Sequence, residues 1–290
     1  MTVWNETAGR ERLKEQSMKN TEILATENLS AGYGEKTVIE DLSFTLHRGE
    51  ILCLAGESGC GKSTLLRTLL SLPAITVRAG DIRVGGTGLS ALPGKKRSRF
   101  CSEKMGMIFQ SPGASFNPIR SYKKQFIETM KSHDKYDRNT FDEQVNEAFA
   151  KLELEDPKRL IGECPYALSG GMNQRMAIAL ALLLKQEILL CDEPTSALDA
   201  TIALQVAQEL KKLRDESGIS QIIVTHNLGL AAFMADRIGI MNGGRLVEIG
   251  DAKQILYHPA HPYTQSLLQA VPRLEKTASF MAEAEVNNAT

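Results

Sequence analysis

Apolar residues along this chain fall into short blocks separated by polar or glycine-rich stretches. Residues 23–29, 36–39 and 42–46 read as short strands. The block Ile51-Leu52-Cys53-Leu54-Ala55 is apolar without a break, as expected of a strand buried on both faces. It runs directly into a glycine-rich stretch, after which residues 63–72 take up helical spacing. Residues 79–86 and 105–109 are two further strand candidates. Between them the basic stretch Lys95-Lys96-Arg97-Ser98-Arg99 reads as a solvated loop or helix face. From 111 to 184 the pattern turns mainly helical. Residues 188–191 then form a second buried strand, and 200–216 an amphipathic helix that Gly218 should stop. Residues 221–225 and 237–241 read as strands, and 245–249 as a partner paired across the Asn242-Gly243-Gly244 turn. Strands alternating with helices predict an α/β fold with a mostly parallel sheet and an inserted helical block.

The remaining bulk properties narrow this picture. The 290 residues suit one large α/β domain with embellishments, or two small domains. A net charge of -1 gives no basic face for nucleic acid, so none is expected as a partner. The five cysteines, at 53, 60, 101, 164 and 191, form no C-x-x-C pair, which favours a reducing compartment over a disulfide framework. The longest apolar run, 176–184, is nine residues, far short of the ~20 that a membrane-spanning helix requires. It reads as a core helix. Residues 1–20 carry mixed charge without an apolar core, so no signal peptide is expected there.

The chemistry sits at the ends of the buried strands. Gly56-x4-Gly61-Lys62-Ser63 has the spacing of a phosphate loop. The stretch Gly56, Glu57, Ser58, Gly59, Cys60, Gly61, Lys62, Ser63 and Thr64 would turn backbone amides inward around phosphates, at a helix N-terminus that adds positive potential. Lys62 would reach the β and γ oxygens, and Ser63 would offer its hydroxyl to Mg2+. Asp192 and Glu193 follow the strand 188–191. There an aspartate can hold Mg2+ through water, and the adjoining glutamate can polarise an attacking water. Leu168-Ser169-Gly170-Gly171 opens a long helix, and a serine cap followed by two glycines makes a second anion site. A chain that already has a phosphate loop needs such a cradle only if two chains build each site. Gln110 and His226 end two further strands, on the sheet edge where ligands sit in open α/β folds. Tyr33 is either a base-stacking aromatic or a core residue. Cys60, beside the loop amides and Lys62, is expected to be a reactive thiol, with Cys53 and Cys191 inert.

In this order the motifs resemble those of ATP-binding-cassette (ABC) ATPases over about residues 21–250. The resemblance implies a P-loop NTPase core with an antiparallel β subdomain and an inserted α-helical signature subdomain. It also implies ATP and Mg2+ as ligands. Tyr33 would stack on adenine, Gln110 would sense the γ-phosphate and metal, and His226 would contact the γ-phosphate. Ser169, Gly170 and Gly171 would cap ATP held by the opposite subunit, with Asp199 of the loop Ser196-Ala197-Leu198-Asp199 at the same interface. The metal would then be held by Ser63, Gln110 and Asp192.

A narrower likeness lies past the core. Tyr257-His258-Pro259-Ala260-His261-Pro262-Tyr263-Thr264 is similar to the C-terminal segment of oligopeptide, dipeptide and nickel importer ATPases. So are Met172 and the run Asn173-Gln174-Arg175, and Ser115-Phe116-Asn117-Pro118 after Gln110. Cys164-Pro165-Tyr166 departs from the Tyr-Pro-His of many members. Without a cysteine after Cys191, no iron–sulfur cluster is expected. His258 and His261 read as turn and packing residues rather than metal ligands. This likeness implies the ATPase subunit of a bacterial importer for peptides or nickel, peripheral at the cytoplasmic membrane face. Its partners would be a second ATPase subunit, identical or paralogous, two permease subunits and an extracytoplasmic binding protein. The alternative is an ATPase serving a soluble assembly such as a carbon–phosphorus lyase. The 59 positions from Gln110 to Ser169 are too few for a coiled-coil arm.

The organisation expected is a polar extension over 1–20, an ATP-binding core with β subdomain over 21–111 and 186–250, and a helical block over 112–185. An importer-type segment over 251–275 and a tail over 276–290 follow. Within 111–156 a permease docking surface is expected. Phe116, Ile119, Tyr122 and Phe126 are either part of it or the block's own core.

Overall fold

The computed structural model describes residues 21–110, 112–196 and 199–270. The expected extension over 1–20 and everything beyond 270 lie outside the described residues. The apolar block 51–55 is strand β3 (Ile51–Ala55), with every residue buried. It shares a sheet with β6 (Met105–Ile108), β7 (Ile188–Asp192), β8 (Ser220–Thr225), β9 (Arg237–Asn242) and β10 (Arg245–Asp251). The order is β10-β9-β3-β8-β7-β6. All pairs are parallel except the last hairpin, where β10 returns antiparallel to β9 across the expected glycine turn.

Residue parity in β3 accounts for its unbroken apolar sequence. Ile51, Cys53 and Ala55 face one core, shared with Ile108, Leu189, Cys191 and Ile223. Leu52 and Leu54 face the other, with Leu190, Ile222, Val224 and Met241. Successive side chains point to opposite faces, and both faces are covered.

A second, antiparallel sheet contains β1 (Glu22–Tyr33), β2 (Lys36–His47), β4 (Thr76–Val84) and β5 (Thr87–Gly88), in the order β2-β1-β4-β5. The two runs expected at 36–39 and 42–46 are one strand. Their gap is a local irregularity at Asp41, whose φ is 49° and whose amide donates to Ser30 Oγ at 3.0 Å.

Helix α1 (Lys62–Leu69) follows the glycine loop, ending earlier than the apolar spacing suggested. The chain turns away at Ser71, with a φ of 54°. The basic stretch lies on α2 (Gly94–Lys104), where Arg99 pairs with Glu103 at 2.9 Å and Asp134 at 2.7 Å, the solvated face expected. Between β6 and β7 come α3 (Tyr122–Ser132), α4 (Phe141–Lys151), the single turn α5 (Pro157–Leu160) and α6 (Gly170–Leu183). The run 176–184 falls on α6 and its following residue, with Met176, Ile178, Ala179, Ala181 and Leu183 buried. Helix α7 (Ala200–Ser217) stops at Gly218, whose left-handed φ of 66° glycine accommodates without strain. After α8 (Leu228–Met234) and the last two strands come α9 (Ala252–Tyr257) and α10 (Pro262–Gln269). No helix among the described residues is long and apolar enough to cross a membrane.

The block's apolar residues divide. Tyr122 and Phe126 are fully buried core residues, which removes them from the expected docking surface. Phe116 packs edge-on against Tyr122, ring centroids 4.9 Å apart. Ile119 is 78% exposed.

Candidate active site

Sheet register brings the predicted residues to one edge. Ile108 lies opposite Cys191, Cys191 opposite Ile223, and Ala55 opposite Thr225. The carboxyl ends of β3, β6, β7 and β8 are therefore level. Gly56, Gln110, Asp192, Glu193 and His226 all lie at that edge, where open α/β sheets bind ligands.

The loop after β3 folds tightly against β9. A Cβ at Gly56 would stand 2.2 Å from the Met241 carbonyl oxygen, so only glycine fits there. Lys62, at the start of α1, is buried. Its ammonium donates to the carbonyls of Gly56 at 2.7 Å and Glu57 at 2.8 Å, and lies 3.8 Å from Cys60 Sγ. A cleft of about 150 Å³ opens beside it, lined by Val38, Ser58, Gly59, Gly61, Lys62, Ser63, Thr64 and Glu193. The loop thus offers a cation and helix-terminal amides to one small volume, which suits phosphate.

Two pairs flank this cleft. Ser63 Oγ donates to Asp192 Oδ1 at 2.7 Å. Burial pushes the Asp192 carboxyl up, and nearby Glu193 adds to this, while the Ser63 hydroxyl, Arg67 and Lys62 oppose it. The second pair is Glu193 Oε2 and His226 Nδ1, 3.2 Å apart. Glu193 holds a left-handed φ of 47°, and its amide donates to the Val224 carbonyl at 2.9 Å. A non-glycine residue in that region is strained, and Glu193 lines the cleft beside Lys62. A hydroxyl beside a carboxylate suits a hard cation such as Mg2+, and a carboxylate beside an imidazole suits positioning and deprotonating water.

Other predicted residues lie apart from this cluster. Gln110 is exposed at the sheet edge, and Tyr33 is half-buried at the end of β1. Neither lines the cleft. Ser169 caps α6 by accepting from the Met172 amide at 3.3 Å, and Gly170 beside it is exposed. These signature residues do not reach this chain's own cleft either. Asp199 caps α7, its carboxylate accepting from Thr201 and Ile202 at 3.0 Å each; Ala197 and Leu198 lie outside the described residues. Cys60 is only 8% exposed, which covers the thiol expected to be reactive. Cys53 and Cys191 are buried, and burial pushes both thiols up, as expected of inert residues. His261 caps α10, its Nδ1 accepting from the Tyr263 amide at 3.1 Å, so it is a turn residue as expected.

Three supports escaped the sequence reading. The Gly244 amide donates to the Cys60 carbonyl at 3.0 Å, bracing the phosphate loop from the β9–β10 turn. Arg67 lies one helical turn beyond Ser63, near Asp192. Tyr122 bonds to Asn173 behind the signature turn. Only Arg67 had a local signal, its spacing on α1; the other two join residues distant in sequence.

Comparison with known proteins gives the family. The ABC transporter family model matches residues 39–196, and the oligopeptide/dipeptide transporter C-terminal region matches 247–289. The oligopeptide transport ATP-binding protein OppD of Haemophilus influenzae is 38% identical over 243 residues, 83% of this chain and 75% of that protein. The dipeptide transport ATP-binding protein DppD of Bacillus subtilis is 35% identical over 260 residues, 87% of this chain and 78% of that protein. Among solved structures, the dimeric post-hydrolysis form of the ATP-binding cassette MJ0796 bound to ADP and Pi superposes with a TM-score of 0.67 at 26% identity. It covers 79% of this chain and 99% of that one. CbiO1 of Clostridium perfringens, at a TM-score of 0.73 and 23% identity, covers 91% of this chain and all of that one, and shares the fold. With a family model spanning more than half its length, the chain belongs to the ABC transporter family, as one of its ATP-hydrolysing subunits.

Proposed function

We propose that this chain powers a peptide importer by hydrolysing ATP at the cytoplasmic face of a membrane. The observation that carries the reading is the gathering of Lys62, Ser63, Asp192, Glu193 and His226 at one sheet edge, around a cleft of phosphate size. Lys62 and the loop amides hold the phosphates. Ser63 and Asp192, with Gln110 nearby on the same edge, provide the oxygen ligands that would hold Mg2+, which would neutralise charge on the β and γ phosphates. Glu193 orients the attacking water and accepts its proton, and His226 steadies that carboxylate and reaches toward the γ-phosphate. Tyr33 stacks on adenine.

The signature turn motivates a two-chain site. Ser169, Gly170 and Gly171 present a helix N-terminus with no acidic residue in its first turn, away from their own cleft. In a head-to-tail pair of cassettes they cap the partner's ATP, with Asp199 at the seam. Closure of such a pair would move the block 112–185 against two permease subunits, while an extracytoplasmic binding protein delivers the substrate. Within the segment 111–156, the exposed Ile119 is the candidate contact for a permease segment. Relatives named for oligopeptides and dipeptides favour peptide over nickel as cargo, and nothing favours the soluble-assembly alternative.

Reconstitution tests the reading. Membranes carrying the chain with its permease partners should take up labelled short peptides in an ATP-dependent manner, and Glu193→Gln should abolish uptake. Peptide uptake that persists with Glu193→Gln, or co-purification with a soluble assembly instead of multi-span proteins, would overturn it.

A further inference from the structure

The C-terminal segment is built onto the nucleotide site by an identifiable set of contacts. Glu248 on β10 accepts from the Ala260 amide at 2.8 Å and the His261 amide at 3.1 Å. Thr264, fully buried, faces the same carboxylate. His261 caps α10 and Pro262 fills its first position. Together these fix the start of α10, which carries Tyr263. Its ring packs against the core that includes Ile51, Cys53 and Ala55 of β3. Its hydroxyl is completely covered and makes no well-formed hydrogen bond, yet it faces the Glu57 backbone amide and lies near Cys60. A buried polar group without a partner is costly, and the atom it faces belongs to the phosphate loop.

We propose that Tyr263 is a positioning residue for the phosphate loop, its phenol oxygen receiving the Glu57 amide when ATP is bound. This rests on the reading of residues 56–64 as the ATP site. Lys62 now braces the loop by donating to the Gly56 and Glu57 carbonyls. To reach a phosphate its ammonium must leave them, and the loop then depends on contacts from outside. Gly244 supplies one at the Cys60 carbonyl. Tyr263 supplies the other at the opposite end of the loop, and Glu248 anchors the segment that carries it. The importer-type segment thereby contributes to nucleotide affinity.

The test is Tyr263→Phe in the full chain, which keeps the ring and removes the oxygen. Mg-ATP affinity is measured by titration, and unfolding temperature with and without Mg-ATP. Affinity should fall about fivefold, the size of one neutral hydrogen bond. The nucleotide-free unfolding temperature should hold or rise, because an unpartnered hydroxyl has gone. A purely structural hydroxyl would lower that temperature and leave affinity alone. Wild-type affinity in the variant overturns the proposal. Absence of Mg-ATP binding in the wild-type chain would instead overturn the assignment of the loop.

Discussion

The Tyr122 hydroxyl donates to Asn173 Oδ1, tying the first helix after Gln110 to the signature helix. Asn173 in turn donates through Nδ2 to the carbonyls of Pro165 at 3.1 Å and Leu168 at 3.4 Å. Both side chains are buried, so the bonds form in a low-dielectric interior where a missing partner is expensive. One asparagine thus links the segment that follows Gln110 to the turn presenting Ser169.

Tyr122→Phe should therefore act at a distance. It leaves Asn173 Oδ1 without a donor, and unfolding free energy should drop by about 1–3 kcal/mol. Mg-ATP affinity of the single chain should stay within about twofold, while turnover in the assembled complex falls, since the signature turn shifts. Full turnover with unchanged stability would show that the bond orients nothing.

Lys62 and Glu193 should separate binding from chemistry. Lys62→Ala removes the buried ammonium beside the cleft, and Mg-ATP affinity should fall at least about tenfold. Glu193→Gln keeps the shape but not the proton acceptor, so hydrolysis should slow by about 10²–10⁴ with ATP still bound. Under Mg-ATP this variant should also accumulate as a dimer on gel filtration. Turnover near the wild-type rate in Glu193→Gln would remove that residue from the chemistry.

Ile119 and Phe126 should behave in opposite ways. Phe126→Ala opens a cavity in the block's core and should cost about 3–5 kcal/mol. Ile119→Asp, on an exposed position, should leave unfolding and basal ATPase activity unchanged but weaken permease binding and transport. Normal transport with Ile119→Asp would place the docking surface elsewhere.

Maleimide labelling of the folded chain should begin at Cys164, the one half-buried cysteine beside four buried ones. Cys60 should react slowly, and Mg-ATP should slow it further. Peptide mapping that finds Cys60 modified before Cys164 would mean that the phosphate loop opens readily in solution.

Glu248 gives the C-terminal clasp a pH dependence. Burial pushes its carboxyl up, but the Thr264 hydroxyl, the Ala260 and His261 amides and the His261 ring outweigh that and hold it below its ordinary value of 4.5. A lowered carboxyl stabilises the fold above 4.5, and the contribution is lost as pH falls through the folded value. Wild type should thus unfold at a higher temperature than Glu248→Gln near neutrality, and the gap should close on acidification below pH 4.5. A gap independent of pH would rule out the charge as its source.

Much of the site was legible because its chemistry is local. Gly56 to Thr64, the Asp192-Glu193 pair and the Ser169 cap each use backbone geometry written within a few residues, and strand ends fall where apolar blocks stop. Periodicity likewise exposed β3 and α6, although it split β2 at Asp41, where one left-handed residue interrupts the apolar pattern. Tertiary structure alone decided whether Tyr122 and Phe126 face outward or inward, because an amphipathic stretch looks alike in either setting until its neighbour is known. It also decided that Ser169 stands apart from its own cleft. Tyr263 is carried next to the phosphate loop only because Glu248 on β10 takes the Ala260 and His261 amides just ahead of α10. Contacts between residues so far apart depend on strand order and register, which set distances that no window along the chain contains.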